Sequence, residues 1–409
     1  MTSQTKPHTT FHPKPHTKPP SARPRQVRER WRMTPEARAL VLVTAVLLAF
    51  GLAVLYSASA IVAVDEGHGS AYYLQRQLAG IGVGLLLFAI VAKMDAELWS
   101  RWAWPLMGLT LVLMLVVILP FTESIAPRIH GSRRFLFGAS VQPSELAKIA
   151  VVAWTAMLVV RKGDSLRGLA KGVLPFVLVI GVLDVLTAVE PDLSTAMLYT
   201  LVMAIVLFAG GVRIGHFLVL AMLAIPLVWH EAERLHYVLL RTISFFDPGG
   251  APSKVGYQLR QSLIAVGSGG FLGVGFGEGR QQYGFLPFPF NDFIGSNIGE
   301  EWGFVGLTAL IVAFAAYGWL GFRIARAART PFQQLLAVGL TTTTLITAYL
   351  HIGVVIGLLP TTGLTLPFIS YGRSNLILSL VMTGILVNVG STRERIFGGH
   401  ATDPHAVAG

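Results

Sequence analysis

The stretch Phe290-Asn291-Asp292-Phe293-Ile294-Gly295-Ser296-Asn297-Ile298-Gly299-Glu300-Glu301-Trp302-Gly303 sets three carboxylates at the mouth of a long apolar run. A carboxylate in such a place meets water on one side and a low-dielectric wall on the other, and desolvation lifts its pKa towards that of a working base. Asp292 is the first candidate for that role. The same spacing also fits a purely local arrangement, in which Asp292 caps a turn and Glu300 and Glu301 favour the positive N-terminal end of the next helix.

Other ionisable groups accompany it. Gln142-Pro143-Ser144-Glu145-Leu146-Ala147-Lys148 opens an apolar segment, with proline suited to a first helical position and Glu145 to the first turn. A helix start does not account for Lys148, three residues on and on the same face, and an ionisable residue near hydrocarbon is a functional candidate by default. Glu190-Pro191-Asp192-Leu193 repeats the theme. Asp192 fits a helix cap and a site role equally, whereas Asp184 fits an intramembrane pair better than chemistry. Arg133 and Arg134, in Gly131-Ser132-Arg133-Arg134-Phe135, have the fork geometry for phosphate, and the alternatives are pairing with Glu123 or with lipid headgroups. Leu359-Pro360 through Arg373-Ser374 is too polar and broken to be a span, so it must be buried in protein or line a cavity, and it is expected to form one wall of that cavity. Ser370 within it has no GxSxG elbow and no evident His partner, which makes it a poor nucleophile.

The elements that must hold these groups are membrane helices. A chain of 409 residues with 53% hydrophobic and 13% charged residues is no ordinary soluble domain. It has no cysteine, which excludes a disulfide framework, a thiolate metal site and a catalytic thiol. The net charge of +11 does not point to nucleic acid, because Lys6 to Arg38 hold nine basic residues against two acidic ones. Residues 1–36 read as a disordered basic Pro/His-rich cytoplasmic arm, residues 37–395 as the membrane domain and 396–409 as a short cytoplasmic tail. Ten apolar segments are expected near 39–64, 75–92, 104–121, 142–160, 172–189, 193–210, 215–231, 299–322, 332–358 and 374–390. The short basic loops Arg161–Lys171 and Arg323–Arg329 then lie inside, as the positive-inside rule requires, with both termini in the cytoplasm. The expected fold is thus all-α and polytopic, with about ten transmembrane helices and one long extracytoplasmic loop, 231–298, between helices 7 and 8. Arg76, Arg128, Arg133 and Arg134 fall on the outer side with Asp292, where basic residues should be scarce. In the long loop, Gly267-Ser268-Gly269-Gly270 lacks a GxxxxGK[ST] pattern and reads as a flexible or re-entrant hinge rather than a nucleotide site.

Taken together these blocks resemble the SEDS family of bacterial cell-wall polymerases, the group that contains RodA and FtsW. The likeness covers about residues 40–395 and keeps family order: Tyr56-Ser57-Ala58-Ser59, Arg76-Gln77-Leu78, Gly131 to Arg134, Gln142 to Lys148, Pro191-Asp192-Leu193, Gly256-Tyr257-Gln258, Gly267 to Gly270, Asp292-Phe293-Ile294, Gly299 to Gly303, and Leu359-Pro360 through Tyr371-Gly372. The resemblance implies a glycosyltransferase that joins lipid II units into glycan strands at the outer face, with Asp292 essential. It further implies substrate contacts among Arg76, Arg133, Arg134, Glu145, Lys148, Asp192, Gln258, Glu300, Ser370 and Tyr371. Partners implied are a class B penicillin-binding protein and further divisome or elongasome proteins. A divalent cation, Mg or Mn, on the lipid diphosphate is compatible with this chemistry, although the sequence offers no dedicated metal cage. The basic arm and Tyr72-Tyr73-Leu74-Gln75-Arg76-Gln77-Leu78 are more similar to the FtsW branch, which implies the division septum.

Three departures stand out. Phe290-Asn291 replaces the His-Thr that commonly precedes the aspartate, so any tuning by that His is absent or supplied elsewhere. Gly295-Ser296 replaces Phe-Ala, and Gly372-Arg373-Ser374 replaces Gly-Gly-Ser. Two other functions fit ten spans with buried charges: a lipid II flippase, and a non-catalytic division scaffold recruiting through the N-terminal arm.

Overall fold

The computed structural model describes residues 28–127, 133–136, 141–222, 244–246, 253–397 and 400–401. Met33–Ser391 form one compact unit. The ends belong to a second, in which strands β1 (Arg28–Met33), β2 (Ser391–Phe397) and β3 (His400–Ala401) pair in that order. The last part of the basic arm is therefore strand, while residues 1–27 lie outside the described residues.

The helices are α1 (Pro35–Asp65), α2 (Tyr72–Lys93), α3 (Leu98–Ile118), α4 (Pro143–Lys162), α5 (Leu174–Val189), α6 (Leu193–Ala209), α7 (Ser253–Gly269), α8 (Ile294–Arg326), α9 (Pro331–Val355) and α10 (Arg373–Val389). Local chemistry sets their starts. Thr34 and Thr330 accept N–H bonds from Ala37 and Gln333, and each is followed by a proline that has no N–H to satisfy. Asp192 caps α6 by accepting from the Thr195 N–H at 3.2 Å.

Among the described residues seven helices are long and apolar enough to cross a membrane, and α6 and α10 are shorter apolar helices. The expected span at 215–231 is helical over 214–222 and otherwise lies outside the described residues. Helix α4 is buried along most of its length and packs beside α9, with Trp154 and a run of α9 threonines inside. Leu42, Leu86, Leu109 and Val185, on α1, α2, α3 and α5, are exposed, as a lipid-facing surface requires. Helices α2 and α10 approach through glycine: a methyl at Gly84 would come within 2.5 Å of Leu380, and one at Gly384 within 3.0 Å of the Phe88 carbonyl.

The long loop departs from expectation. Its middle is helix α7, which packs on α8, and α8 starts at Ile294 rather than at 299. At Gly303 (φ 62°, ψ −156°) α8 breaks. Unbroken, the Phe304 and Val305 N–H groups would bond the carbonyls of Glu300 and Glu301. Instead they donate to Gly270 and Phe271 at 2.9 and 3.2 Å, and the freed carbonyls accept from Val274 and Gly275 at 2.9 and 3.2 Å. The break thus leaves no backbone group of the kink unpaired. Glycine is required on both sides: a Cβ on Gly273 (φ 85°) would lie 2.1 Å from the Glu301 carbonyl, one on Gly269 1.9 Å from that of Gly299, and one on Gly303 2.4 Å from the Gly273 nitrogen. The glycine run is therefore a packed seam, not a loose hinge.

Gly273→Ala should lower the detergent-solubilised unfolding free energy by at least about 1–3 kcal/mol, the scale of one residue held in a disfavoured backbone region. Gly267→Ala, a helical position with nothing within 4 Å of the new methyl, should be neutral or gain up to about 1 kcal/mol.

Candidate functional site

Asp292 sits between the Phe293 start of α8 and the loop before α10. The N-cap position of α8 is Phe293, with no side-chain cap bond, and Glu300 and Glu301 lie in the second turn. Glu300 and Glu301 therefore lie one turn beyond the helix end that would favour them. The residues before Asp292 are clamped by the facing loop: the Tyr371 N–H donates to the Phe290 carbonyl at 2.9 Å, and the Ser370 hydroxyl to that of Asn291 at 2.8 Å. Ser370 Oγ also accepts the Leu366 N–H at 2.8 Å, so it is a strut and not a nucleophile. Gln77 of α2 holds the same loop, donating to the Ser370 carbonyl at 3.1 Å and accepting from the Gly372 N–H at 3.4 Å. The Asp292 carboxylate faces Gly363 (φ 77°), where a Cβ would lie 3.7 Å from Oδ2.

Beside this clamp the rings of Tyr73, Phe290 and Tyr371 meet, with centroids 4.5, 5.1 and 5.7 Å apart. Arg76 donates to the Tyr72 hydroxyl at 2.7 Å and lies over that ring. The stem of Arg373 packs where Gly80 has no side chain. Burial raises the pKa of the Tyr371 phenol, and the positive charges of Arg76 and Arg373 partly offset it. Arg76, Tyr371 and Arg373 therefore form one cationic, aromatic corner two residues along the ladder from Asp292.

The remaining candidates are placed differently. Lys148 Nζ lies 2.7 and 2.8 Å from the two oxygens of Glu145, a closed and buried pair. Arg133 donates to the Leu119 carbonyl and pairs with Glu123, the alternative to phosphate contact. Arg134 donates to the carbonyls of Glu190 and Pro191 at 2.9 and 2.6 Å. Arg128 lies outside the described residues. Asp192 is a cap, and Asp184 accepts from Thr200 of α6 at 2.5 Å, the intramembrane partnership expected of it. Glu300 accepts the N–H groups of Arg280 and Gln281 at 2.8 and 3.2 Å, and Glu301 accepts from Ser57. Glu300 thus anchors the chain leading to Asp292, and Glu301 ties α8 to α1. Gln258 is half-buried on α7. Among the described residues no three His, Cys, Asp or Glu side chains group as metal ligands.

Three residues outside the candidate set belong to this region. Gln77 sits in a quoted motif beside Arg76. His351 is buried on α9, and a histidine inside an apolar run was itself a signal. Glu190 is buried with neither carboxylate oxygen hydrogen-bonded, and burial, with Asp192 nearby, pushes its pKa up to about 8 despite Arg134.

That shift has a sign. Between the ordinary value of 4.5 and about 8 the folded chain keeps a proton that the unfolded chain has lost, so stability falls as pH rises through this window. Glu190→Gln should flatten that slope and unfold at a higher temperature than the parent at about pH 8, in detergent thermal melts taken across the window. For the closed pair, Glu145→Ala should cost about 3–5 kcal/mol by stranding a buried ammonium, whereas Glu145→Met with Lys148→Met should recover most of it.

The family sequence model FTSW_RODA_SPOVE, cell cycle protein, matches residues 38–395. The chain is 38% identical over 365 residues to a Trichlorobacter lovleyi protein named "Probable peptidoglycan glycosyltransferase FtsW", covering 89% of this chain and 95% of that one. It is 35% identical over 352 residues to stage V sporulation protein E of Bacillus subtilis, covering 86% and 95%. Among solved structures it is similar to a chain of a peptidoglycan synthase complex described as coordinating polymerization and crosslinking (TM-score 0.70, 27% identity, 86% and 96% covered). It is also similar to the rod shape determining protein RodA of Thermus thermophilus (TM-score 0.61, 25% identity, 86% and 95% covered). With its spans, its clamped aspartate and these matches, the chain belongs to the FtsW/RodA/SpoVE family of polytopic membrane proteins.

Proposed function

We infer that this chain is a peptidoglycan glycosyltransferase that polymerises lipid II into glycan strands at the outer face of the cytoplasmic membrane, in septal wall synthesis. The observation that carries this reading is the clamped Asp292, whose carboxylate faces the Gly363 turn beside the Arg76–Tyr371–Arg373 corner. The named relatives supply the reaction class.

A sugar on a lipid diphosphate is already activated, so no nucleotide is needed outside the cell. Asp292 accepts the proton from the acceptor GlcNAc 4-hydroxyl as that oxygen attacks the donor MurNAc anomeric carbon. The bond to the diphosphate breaks on the opposite side, with inversion. The leaving group gains charge in the transition state, and Arg76 and Arg373 are the cations placed to receive it. Lys148 and Arg133 are committed to Glu145 and Glu123, and keep the framework instead. No step is routed through a metal. Both termini are cytoplasmic on this reading, and a class B penicillin-binding protein supplies crosslinking.

Asp292→Asn keeps the shape and removes the base. Reconstituted with its cognate penicillin-binding protein and given purified lipid II, the wild type should make glycan polymer, and the variant should lose roughly 10²–10⁴-fold in rate. Normal polymerisation by the variant would rule Asp292 out as the base. A wild type that moves lipid II across vesicles without making glycan would establish the transporter instead.

A further inference from the structure

The residues before Asp292 are clamped by the facing loop, and the residues after it need holding as well. The structure supplies a strut from α9. His351 Nδ1 lies 2.8 Å from the Leu364 carbonyl, and the Gly295 N–H donates to Nε2 at 3.3 Å. A carbonyl only accepts, so Nδ1 carries the hydrogen, and Nε2, which receives an N–H, is bare. The ring is a neutral bridge. One end holds the residue three positions after Asp292, and the other holds the neighbour of Gly363, the residue the Asp292 carboxylate faces.

Gly295 is what lets the ring in. A Cβ there would lie 3.2 Å from Nε2 and 3.2 Å from Val355, closer than comfortable packing. Next to it, Ser296 meets Ser262 of α7 at 2.7 Å. Ser262 gives its own hydrogen to the Val355 carbonyl at 2.8 Å, so Ser296 is the donor to Ser262. Gly295 and Ser296, two of the departures from the family pattern, are thus both tied to the outer end of α9. The missing His before the aspartate has a counterpart in a different part of the chain.

We propose that His351 is a positioning residue for Asp292, fixing the start of α8 against the Gly363–Leu364 turn so that the carboxylate meets the acceptor hydroxyl. This rests on the polymerase reading. The ring does not touch substrate and carries no charge, so its loss should change alignment rather than binding.

The test is steady-state polymerisation of lipid II by the full chain with its penicillin-binding protein, separating kcat from KM. His351→Leu should lower kcat by roughly ten- to a hundredfold with KM changed less than about twofold. His351→Asn keeps a donor near Nδ1 and His351→Gln an acceptor near Nε2, so each should recover part of kcat. Gly295→Ala should lower kcat in the wild-type background and cost little beside His351→Asn, whose side chain is smaller, a non-additive pair. Tyr317→Phe, which removes a buried hydroxyl bond to Thr383 and keeps the ring against Phe368, is the stability control and should lower the melting temperature with kcat unchanged. If the His351 variants lower the melting temperature as Tyr317→Phe does and leave kcat intact, or if they raise KM alone, the assignment is overturned. A wild type that makes no glycan overturns the functional reading and this assignment with it; an active wild type with unaffected variants overturns only the assignment.

Discussion

The exchange of backbone hydrogen bonds at Gly303 is the constraint from which the outer half of this structure follows. A helix break inside a membrane normally strands two donors and two acceptors, each costing several kcal/mol in hydrocarbon. Here the turn segment Gly270–Gly275 satisfies all four. The close approach this needs is open only to glycine, which is why Gly269, Gly273 and Gly303 recur where the two segments meet. Once the seam is made, the Glu300 side chain can take the chain that follows Gly275 through the N–H groups of Arg280 and Gln281, while Glu301 accepts from Ser57 of α1. The segment that ends in Asp292 is therefore carried on a fixed backbone junction.

This explains how buried charge is distributed. Pairs that lie deep, Glu145 with Lys148 above all, are closed on each other, because an unpaired ion there costs more than any contact it could make. Glu300 is dispersed over backbone donors, which neutralise it as a counter-ion would. Arg76 lies over the Tyr72 ring, and the stem of Arg373 packs against Gly80.

Much of this was legible in the sequence. Apolar length marks the spans, Pro143 and Asp192 suit helix starts, and Asp292 stands out as a carboxylate at an apolar mouth. What was not legible depends on contacts distant in the chain. Nothing near Gly303 announces that its kink is closed by bonds from residue 270 onwards, so sequence alone leaves one long loop over 231–298 and starts the next span at 299. Arg133 and Arg134 look identical by type, yet one meets Glu123 and the other two carbonyls. Charge and spacing cannot separate a free guanidinium from an engaged one. His351 did carry a signal, being ionisable inside an apolar helix, but its meaning needs Gly295 and Leu364 beside it.

A base that works at a membrane surface has conflicting needs. It must be held to a fraction of an ångström, but a cation used to hold it would stabilise its ionised form and weaken it as a proton acceptor. The clamps found around Asp292 resolve this with neutral groups: two backbone carbonyls at Phe290 and Asn291, and an imidazole whose hydrogen is turned towards Leu364. Neutral struts fix position without setting charge. In the proposed reaction the Arg76 and Arg373 guanidinium groups, whose charges act on the Tyr371 phenol, would serve the leaving group. Separating the two tasks in this way requires a second element to reach the far side of Asp292, and α9 can do so only because residue 295 has no side chain.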